Sequence, residues 1–126
     1  MRRKAVAIIG ASADRSKFSN KAVRAYVQEG WDVYPVNPKH GEIEGLKAYA
    51  SVDQIPIQVD RVALYLPPAL GVRILPAIAA LRPTEFFVNP GAESDELVAE
   101  AKRLGLNPIL ACSIVDIGVS PADFPE

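Results

Sequence analysis

The chain has 126 residues, 49% hydrophobic and 23% charged, which suits one globular domain and leaves little room for the second domain of a larger enzyme. A net charge of −1 argues against nucleic acid as the main partner. No apolar run approaches the roughly 18 residues of a membrane span, so we expect no membrane partner either. One cysteine and one histidine exclude an internal disulfide and a zinc site of four protein ligands, and they favour the cytoplasm.

The first predicted elements are a strand, a helix and a second strand. The apolar run Ala5–Ile9 is continuous rather than alternating, as in a strand buried on both faces of a parallel sheet. It follows three basic residues, as a signal peptide would, but its five residues stop at Gly10, which is too short for such a segment. Apolar residues at helical spacing predict a helix over residues 19–28 that ends at Gly30, and residues 33–36 predict a second strand.

The rest of the chain predicts two further strand–helix units and a last strand. Residues 48–56 suggest a short strand and a turn of helix, and residues 62–66 suggest a strand ended by two prolines. A helix follows over residues 70–81, in which Pro76 requires a kink or an early break. The remaining predicted elements are a strand at 86–88, a helix at 94–104 and a strand at 108–111.

This alternation predicts the fold class. Strands joined to helices by short loops, with right-handed crossovers, give an α/β domain of three layers, a Rossmann-like doubly wound parallel sheet with helices on both faces. Ligands of such sheets bind beyond the carboxyl ends of the strands. The candidate site is therefore formed by the segments that follow each strand, namely G-A-S, N-P-K-H, L-P-P, N-P-G and C-S.

The segment after the first strand has the composition of a phosphate-binding turn. Gly10 permits close backbone approach, Ser12 and Ser16 offer hydroxyl donors, and Lys17 offers a positive charge beside a helix N-terminus. Residues 1–47 also carry nine basic against five acidic residues, which an anionic ligand would prefer. The alternatives stay open: a simple strand-to-helix turn with a solvated Lys17, and random scatter of surface charge. Neither the dinucleotide-binding glycine motif nor the P-loop motif is present.

The later strand ends offer fewer charged groups. The second strand is followed by Asn37 and Lys39, at the place where NAD-binding domains have an acidic residue that binds the adenine ribose. This segment therefore suits a ribose that carries a phosphate, as in coenzyme A or NADP, better than the plain ribose of NAD. His40 beside them is interpreted as solvated. Tyr65 and its two prolines form either a ligand wall or part of the core. Cys112 follows the last strand, either as a buried inert thiol or close to a thiol cofactor.

These residues together resemble the CoA-binding domain family. The family comprises small bacterial and archaeal CoA-binding proteins and the N-terminal domains of the succinyl-CoA synthetase alpha subunit and ADP-forming acyl-CoA synthetases. The resemblance covers nearly the whole chain, and V-Y-P-V-N-P followed by I-x-G-x-K-x-Y is its most specific part. The carrying segments are A-V-A-I-I-G-A-S with Lys17, G-W-D-V-Y-P-V-N-P-K, G-E-I-E-G-L-K-A-Y, V-D-R-V-A-L-Y-L-P-P and N-P-G.

The resemblance implies one CoA-binding Rossmann-like domain over residues 1–126, with coenzyme A or an acyl-CoA across the strand ends. It places the pyrophosphate near Gly10, Ala11 and Ser12, the adenosine 3′-phosphate near Val36, Asn37 and Lys39, the adenine or pantetheine along Tyr65, Leu66 and Pro67, and the thiol end near Asn89 and Gly91.

Two departures from the family pattern bear on function. The synthetases carry a phosphorylated histidine in a following domain that this sequence does not contain, so we expect no ligase activity in isolation. Stand-alone members often have W-L-Q-x-G and D-R-C where this chain has F-F-V-N-P-G and L-A-C-S, which implies a different acyl group or none.

Three functions follow from the sequence. The leading one is a non-catalytic CoA-binding carrier, sensor or partner module, acting with another protein or as a homodimer. The alternatives are an NAD(P)-binding redox sensor or small oxidoreductase, and an interaction domain that has lost its ligand. A mixed disulfide between Cys112 and the CoA thiol is a further hypothesis.

Overall fold

A computed structural model describes residues 3–126, whose centre is a sheet of five parallel strands in the order β2-β1-β5-β6-β7. A two-stranded antiparallel hairpin, β3 and β4, lies apart from this sheet. The elements in chain order are β1 (Ala5–Ile9), α1 (Phe18–Gln28), β2 (Asp32–Val36), β3 (Glu42–Ile43), β4 (Leu46–Lys47), β5 (Arg61–Leu64), α2 (Pro68–Leu81), β6 (Glu85–Val88), α3 (Asp95–Arg103), β7 (Pro108–Leu110) and α4 (Ser113–Asp116), with 3-10 turns at Val52–Gln54 and Pro121–Asp123.

Helices cover both faces of the sheet, as the continuous apolar strands predict. Alternate residues of β1 divide between the faces: Ala5, Ala7 and Ile9 belong to one hydrophobic cluster and Val6 and Ile8 to the other. The first cluster contains buried side chains of α2 and α3, and the second contains those of α1 and α4. The predicted doubly wound, three-layer α/β fold is therefore confirmed.

The strand order places a topological switch beside β1. The chain leaves β1 to form β2 on one side and returns to form β5 on the other, so the loops after β1 and β5 separate at the carboxyl edge of the sheet. A crevice at such a switch point is where open α/β sheets bind ligands.

The segment after β2 differs most from its sequence-based prediction. The hairpin β3–β4 was not predicted, because strands of two residues carry no readable alternation. The predicted strand within residues 48–56 is a single parallel bridge between Val36 and Tyr49, although the predicted helical turn is present at Val52–Gln54. The amide of Tyr49 donates to the Pro35 carbonyl, and its carbonyl accepts from the Asn37 amide. These bonds fix the segment against the outer side of β2.

The structure also corrects details of the helices and of β5. The strand β5 ends at Leu64, two residues before the predicted end. Helix α2 begins at Pro68, since proline suits the first turn of a helix, and it continues through Pro76 without a break. Pro76 lies on the exposed side, where the carbonyl that it leaves without an amide partner can bond to water. Val27, near the end of α1, is exposed.

Candidate ligand-binding cleft

Three adjoining cavities line the carboxyl edge of the sheet, running from β2 towards β7. The first has a volume of about 410 Å³, the second about 350 Å³ and the third about 130 Å³. Leu66 lies between the first two, and Phe18, Tyr65 and Pro90 border both the second and the third. Each cavity shares wall residues with the next, so the three lie side by side across the strand ends, and we call them together the cleft.

The first cavity has mostly apolar walls that belong to several elements. On one side are Ile9 and Val36 at the ends of β1 and β2, and on another are Ala50 to Asp53 of the segment after the hairpin. Helix α2 closes it with Leu70, Ile74 and Ala77 at helical spacing, and with the exposed Arg73. Such a slot between apolar side chains suits a flat, largely apolar group such as a nucleobase.

The turn after β1 brings the loops of β1, β2 and β5 into contact. Gly10 has φ of +85°, and a Cβ atom there would lie 2.8 Å from the carbonyl oxygen of Tyr65. The amides of Gly10 and Ala11 both donate to the Val36 carbonyl, at 3.1 Å and 3.2 Å. Because Ala11 is also fully buried, this pair fixes the shape of the turn, and only Gly10 reaches the cleft wall.

The residues after β2 form a second fixed turn. The Asn37 side-chain amide donates to the Ala11 carbonyl at 2.7 Å, and its Oδ1 accepts from the Lys39 amide at 2.8 Å. Asn37 and Pro38 line the first cavity, whereas Lys39 is exposed and is not part of its wall. The Asn37 side chain thus sets the backbone that carries Lys39 at the rim.

The loop between β1 and α1, residues 12–17, is mostly exposed, and we call it the β1–α1 loop. The hydroxyl of Ser12 accepts from the Asp14 amide, and the Asp14 carboxylate accepts from both the amide and the hydroxyl of Ser16. The bond from the Ser16 hydroxyl holds the pKa of Asp14 below its ordinary value. Within residues 3–126 no side chain caps α1, and Lys17, Phe18 and Ser19 at its start line the second cavity.

Tyr65 has contacts both with the core and with the cleft. Its ring borders the second and third cavities, and its hydroxyl lies 3.2 Å from the Ser113 hydroxyl. Burial raises the pKa of the Tyr65 hydroxyl above its ordinary value, so the group is neutral at physiological pH. Leu66 and Pro67 continue the same wall.

Asn89 is a buried link between three elements and offers only a small surface to the third cavity. Its side-chain amide donates to the Leu64 carbonyl at 3.0 Å, and its Oδ1 accepts from both the amide and the hydroxyl of Ser113, at 2.9 Å and 3.0 Å. Gly91 borders the second cavity and Cys112 the third. Asn89 therefore holds together the floor on which these two residues lie.

Most of the residues predicted from the sequence lie on this one cleft. Three of them, Ala11, Ser12 and Lys39, lie beside its cavities without lining them. The cavities are lined by the other nine, namely Gly10, Lys17, Val36, Asn37, Tyr65, Leu66, Pro67, Asn89 and Gly91. Sequence reasoning missed the walls contributed by residues 50–53, by Phe18 and by α2. The helical spacing of Leu70, Ile74 and Ala77 could have indicated the wall from α2, because an apolar stripe on a helix packs against the protein or against a ligand.

Residues 3–126 contain neither a metal-binding cluster nor a membrane-spanning helix. No group of three or more His, Cys, Asp or Glu side chains could hold a metal ion, and none of the helices is both long and apolar enough to cross a membrane.

Comparison with known proteins gives concordant results. A family model described as a CoA binding domain matches residues 4–118. The alpha subunit of the ADP-forming acetate–CoA ligase I of Pyrococcus furiosus is 31% identical over 94% of this chain and 29% of its own length. The chain thus spans less than a third of the curated relatives that it matches.

Solved structures agree in fold. A conserved hypothetical protein from Pyrococcus furiosus superposes with a TM-score of 0.80 at 31% identity, over 91% of this chain and 99% of that one. An acetyl-coenzyme A synthetase of Ca. Korarchaeum cryptofilum superposes with a TM-score of 0.73 at 27% identity, over 84% of this chain and 25% of that one. From the family match across its cleft-forming segments, the chain belongs to the CoA-binding domain family.

Proposed function

We propose that the protein binds coenzyme A, or an acyl-CoA, along the cleft as a non-catalytic module. The observation that carries this proposal is the row of three adjoining cavities at the strand ends, with a large apolar cavity at one end and a small one at the other. Coenzyme A has the same order of parts: a nucleoside, a pyrophosphate and a narrow arm that ends in a thiol. Membership of the CoA-binding domain family supports the same ligand.

Each part of the ligand has a chemically suited position. The adenine fits between the apolar side chains of the first cavity, and the pyrophosphate fits the turn at Gly10 and the uncapped start of α1, where Lys17 adds positive charge. The pantetheine arm then follows Tyr65, Leu66 and Pro67. Its thiol, free or acylated, reaches the third cavity beside Cys112.

The proposed role is recognition, which this chain's own residues can perform. The three polar side chains at the thiol end, Tyr65, Asn89 and Ser113, bond to one another or to backbone groups, and none is paired with a general base. We propose that the module serves a partner, either another protein or a second copy, as a carrier or sensor in the cytoplasm. The ligase relatives are much longer than this chain, which matches 29% of the length of the Pyrococcus furiosus alpha subunit.

Thermal unfolding in the presence of nucleotides tests the ligand. At a concentration of coenzyme A about a hundred times its dissociation constant, the folded state gains roughly 2.7 kcal/mol, which raises the Tm by about 10 °C. Acetyl-CoA, dephospho-CoA, NADH and NADPH are each measured separately at the same excess. A shift with NADH or NADPH alone would identify a redox cofactor instead, and no shift with any ligand would identify an interaction domain.

Substitution of Lys39 tests the proposed position of the 3′-phosphate. Lys39→Ala removes a positive charge at the rim, so we expect its affinity for CoA to fall about tenfold and its affinity for dephospho-CoA by less than about twofold. Titration calorimetry of both ligands measures the two ratios. Lys102→Ala, an exposed lysine on α3 away from the cleft, is the matched control. Equal losses of the two ligands would contradict the role given to Lys39.

A further inference from the structure

The guanidinium of Arg24 joins three separate parts of the chain. Its Nε donates to Oδ1 of Asn20 at 2.8 Å, and its Nη2 donates to the Arg15 carbonyl at 3.0 Å. Its Nη1 donates to the Pro125 carbonyl at 2.6 Å, and Nη2 also donates to the Phe124 carbonyl at 3.1 Å. Arg24 on α1 therefore connects the β1–α1 loop with residues about a hundred positions further along the chain.

Asn20 extends this connection to the start of the β1–α1 loop. Its side-chain amide donates to the Ser12 carbonyl at 2.9 Å and to the Glu44 carboxylate at 3.1 Å, and Asn20 itself is fully buried. Glu44 lies in turn 3.6 Å from the Arg15 guanidinium. The carbonyls of Ser12, at the start of the loop, and of Arg15, in its middle, are thus held by one network that contains Arg24 and Asn20.

The distant partner is a short ordered segment, residues 120–125, which we call the C-terminal strap. Ser120 and Asp123 form a reciprocal capping box around its 3-10 turn. Phe124 is 6% exposed and belongs to the hydrophobic cluster that also contains buried residues of α1. The strap lies beyond the residues matched by the family model, which end at 118.

We propose that Arg24 is a positioning residue for pyrophosphate binding, and that the C-terminal strap acts through it to hold the β1–α1 loop in its binding shape. This inference rests on the proposed function, since it concerns the same ligand. The loop's remaining bonds are local and exposed, so the Arg24 network supplies its long-range restraint. Arginine is required because its planar fork bonds several oxygens at once, which the single ammonium of lysine cannot do.

The test compares ligand affinity with loop order in the full chain. If Arg24→Lys leaves the loop in its binding shape in only about a tenth of the molecules, the dissociation constants of CoA and dephospho-CoA both rise about tenfold. Hydrogen exchange in peptides covering residues 11–18 of the ligand-free protein accelerates at the same time. Arg103→Lys, at an exposed ion pair on α3, is the matched control and changes neither quantity.

A second variant approaches the same network from the strap. Phe124→Ala removes the buried anchor and leaves Arg24 in place, so it also serves if Arg24→Lys does not fold. We expect a loss of affinity in the same direction, and the double variant should lose less than the product of the two single losses, because both act through one network.

The outcomes separate the two proposals. If the wild type binds CoA, and Arg24→Lys shows the same affinity and the same hydrogen exchange in the loop, the positioning role is overturned. The proposed function then still stands. Absence of CoA binding by the wild type would overturn both. A loss confined to CoA, with dephospho-CoA unaffected, would also contradict the inference, because both ligands carry the pyrophosphate.

Discussion

Replacing Asn89 with alanine is expected to lower the free energy of unfolding by about 3 kcal/mol. Asn89 is 1% exposed, and its side chain makes three hydrogen bonds that join β5, β6 and the start of α4. Its loss leaves the buried amide of Ser113 without its acceptor and opens a small void, and both effects destabilise the folded state. Urea unfolding at pH 7 measures the difference.

Two further variants make this prediction specific. Asn107→Ala, at an exposed asparagine, should change the unfolding free energy by less than about 0.5 kcal/mol. Ser113→Ala keeps the backbone amide that Asn89 accepts from and should cost about 1 kcal/mol. Equal costs for Asn89→Ala and Asn107→Ala would show that the buried network contributes little.

The Asn89→Asp variant gives the same network a pH dependence. The aspartate oxygen that replaces the amide nitrogen faces the Leu64 carbonyl, so burial and repulsion raise the pKa of the new carboxyl above its unfolded value of about 3.9. Its destabilisation is therefore smallest below about pH 4 and grows as the pH rises through the folded-state pKa.

Replacing Gly10 with alanine should cost about 3 kcal/mol and abolish most CoA binding. The backbone at Gly10 has φ of +85°, and the added Cβ would lie 2.8 Å from the Tyr65 carbonyl oxygen and 3.0 Å from a Leu66 methyl. Both the positive φ and the contact with a backbone atom are unfavourable, and relief requires the loops after β1 and β5 to separate. We expect a loss of affinity of at least about tenfold by calorimetry, since the same loops form the cleft.

A matched glycine separates the two causes. Gly105 has the same φ of +85°, but a Cβ there would meet nothing within 4 Å. Gly105→Ala should therefore cost only the backbone term, about 1 kcal/mol, and leave CoA affinity unchanged. If the two variants are equally destabilised, the close approach of the Tyr65 carbonyl has no energetic consequence.

Local patterns were sufficient to predict the sheet. The buried strands are continuous apolar runs, and Gly30 and Gly105 follow helices whose spacing is readable from the sequence. Their alternation then leaves few possible topologies, and the strand ends identify the edge that forms the cleft. The positions of Gly10, Asn37 and Tyr65 on this edge follow from the fold class alone.

What could not be predicted depends on contacts between distant residues. The bond from Tyr26 to the Ser113 carbonyl spans 87 positions, and that from Arg24 to Pro125 spans 101. Neither leaves a periodic pattern in the sequence. Asn89 is predicted to lie near the ligand thiol, and the structure adds that its polar side-chain atoms bond to Leu64 and Ser113. Sequence spacing locates such a residue at the strand end but does not reveal where its hydrogen bonds go.

The proline in β2 has a consequence for association between copies of the protein. Within a strand the amide and carbonyl of one residue point to the same side, and the Pro35 carbonyl points outward to the Tyr49 amide. The missing N–H of Pro35 therefore costs no bond to β1, while the outer edge of β2 lacks a donor there and is partly covered by Tyr49. The opposite edge strand, β7, has only three residues and begins with Pro108. Short, proline-containing edges are poor templates for another strand, so the sheet is protected on both sides against edge-to-edge aggregation.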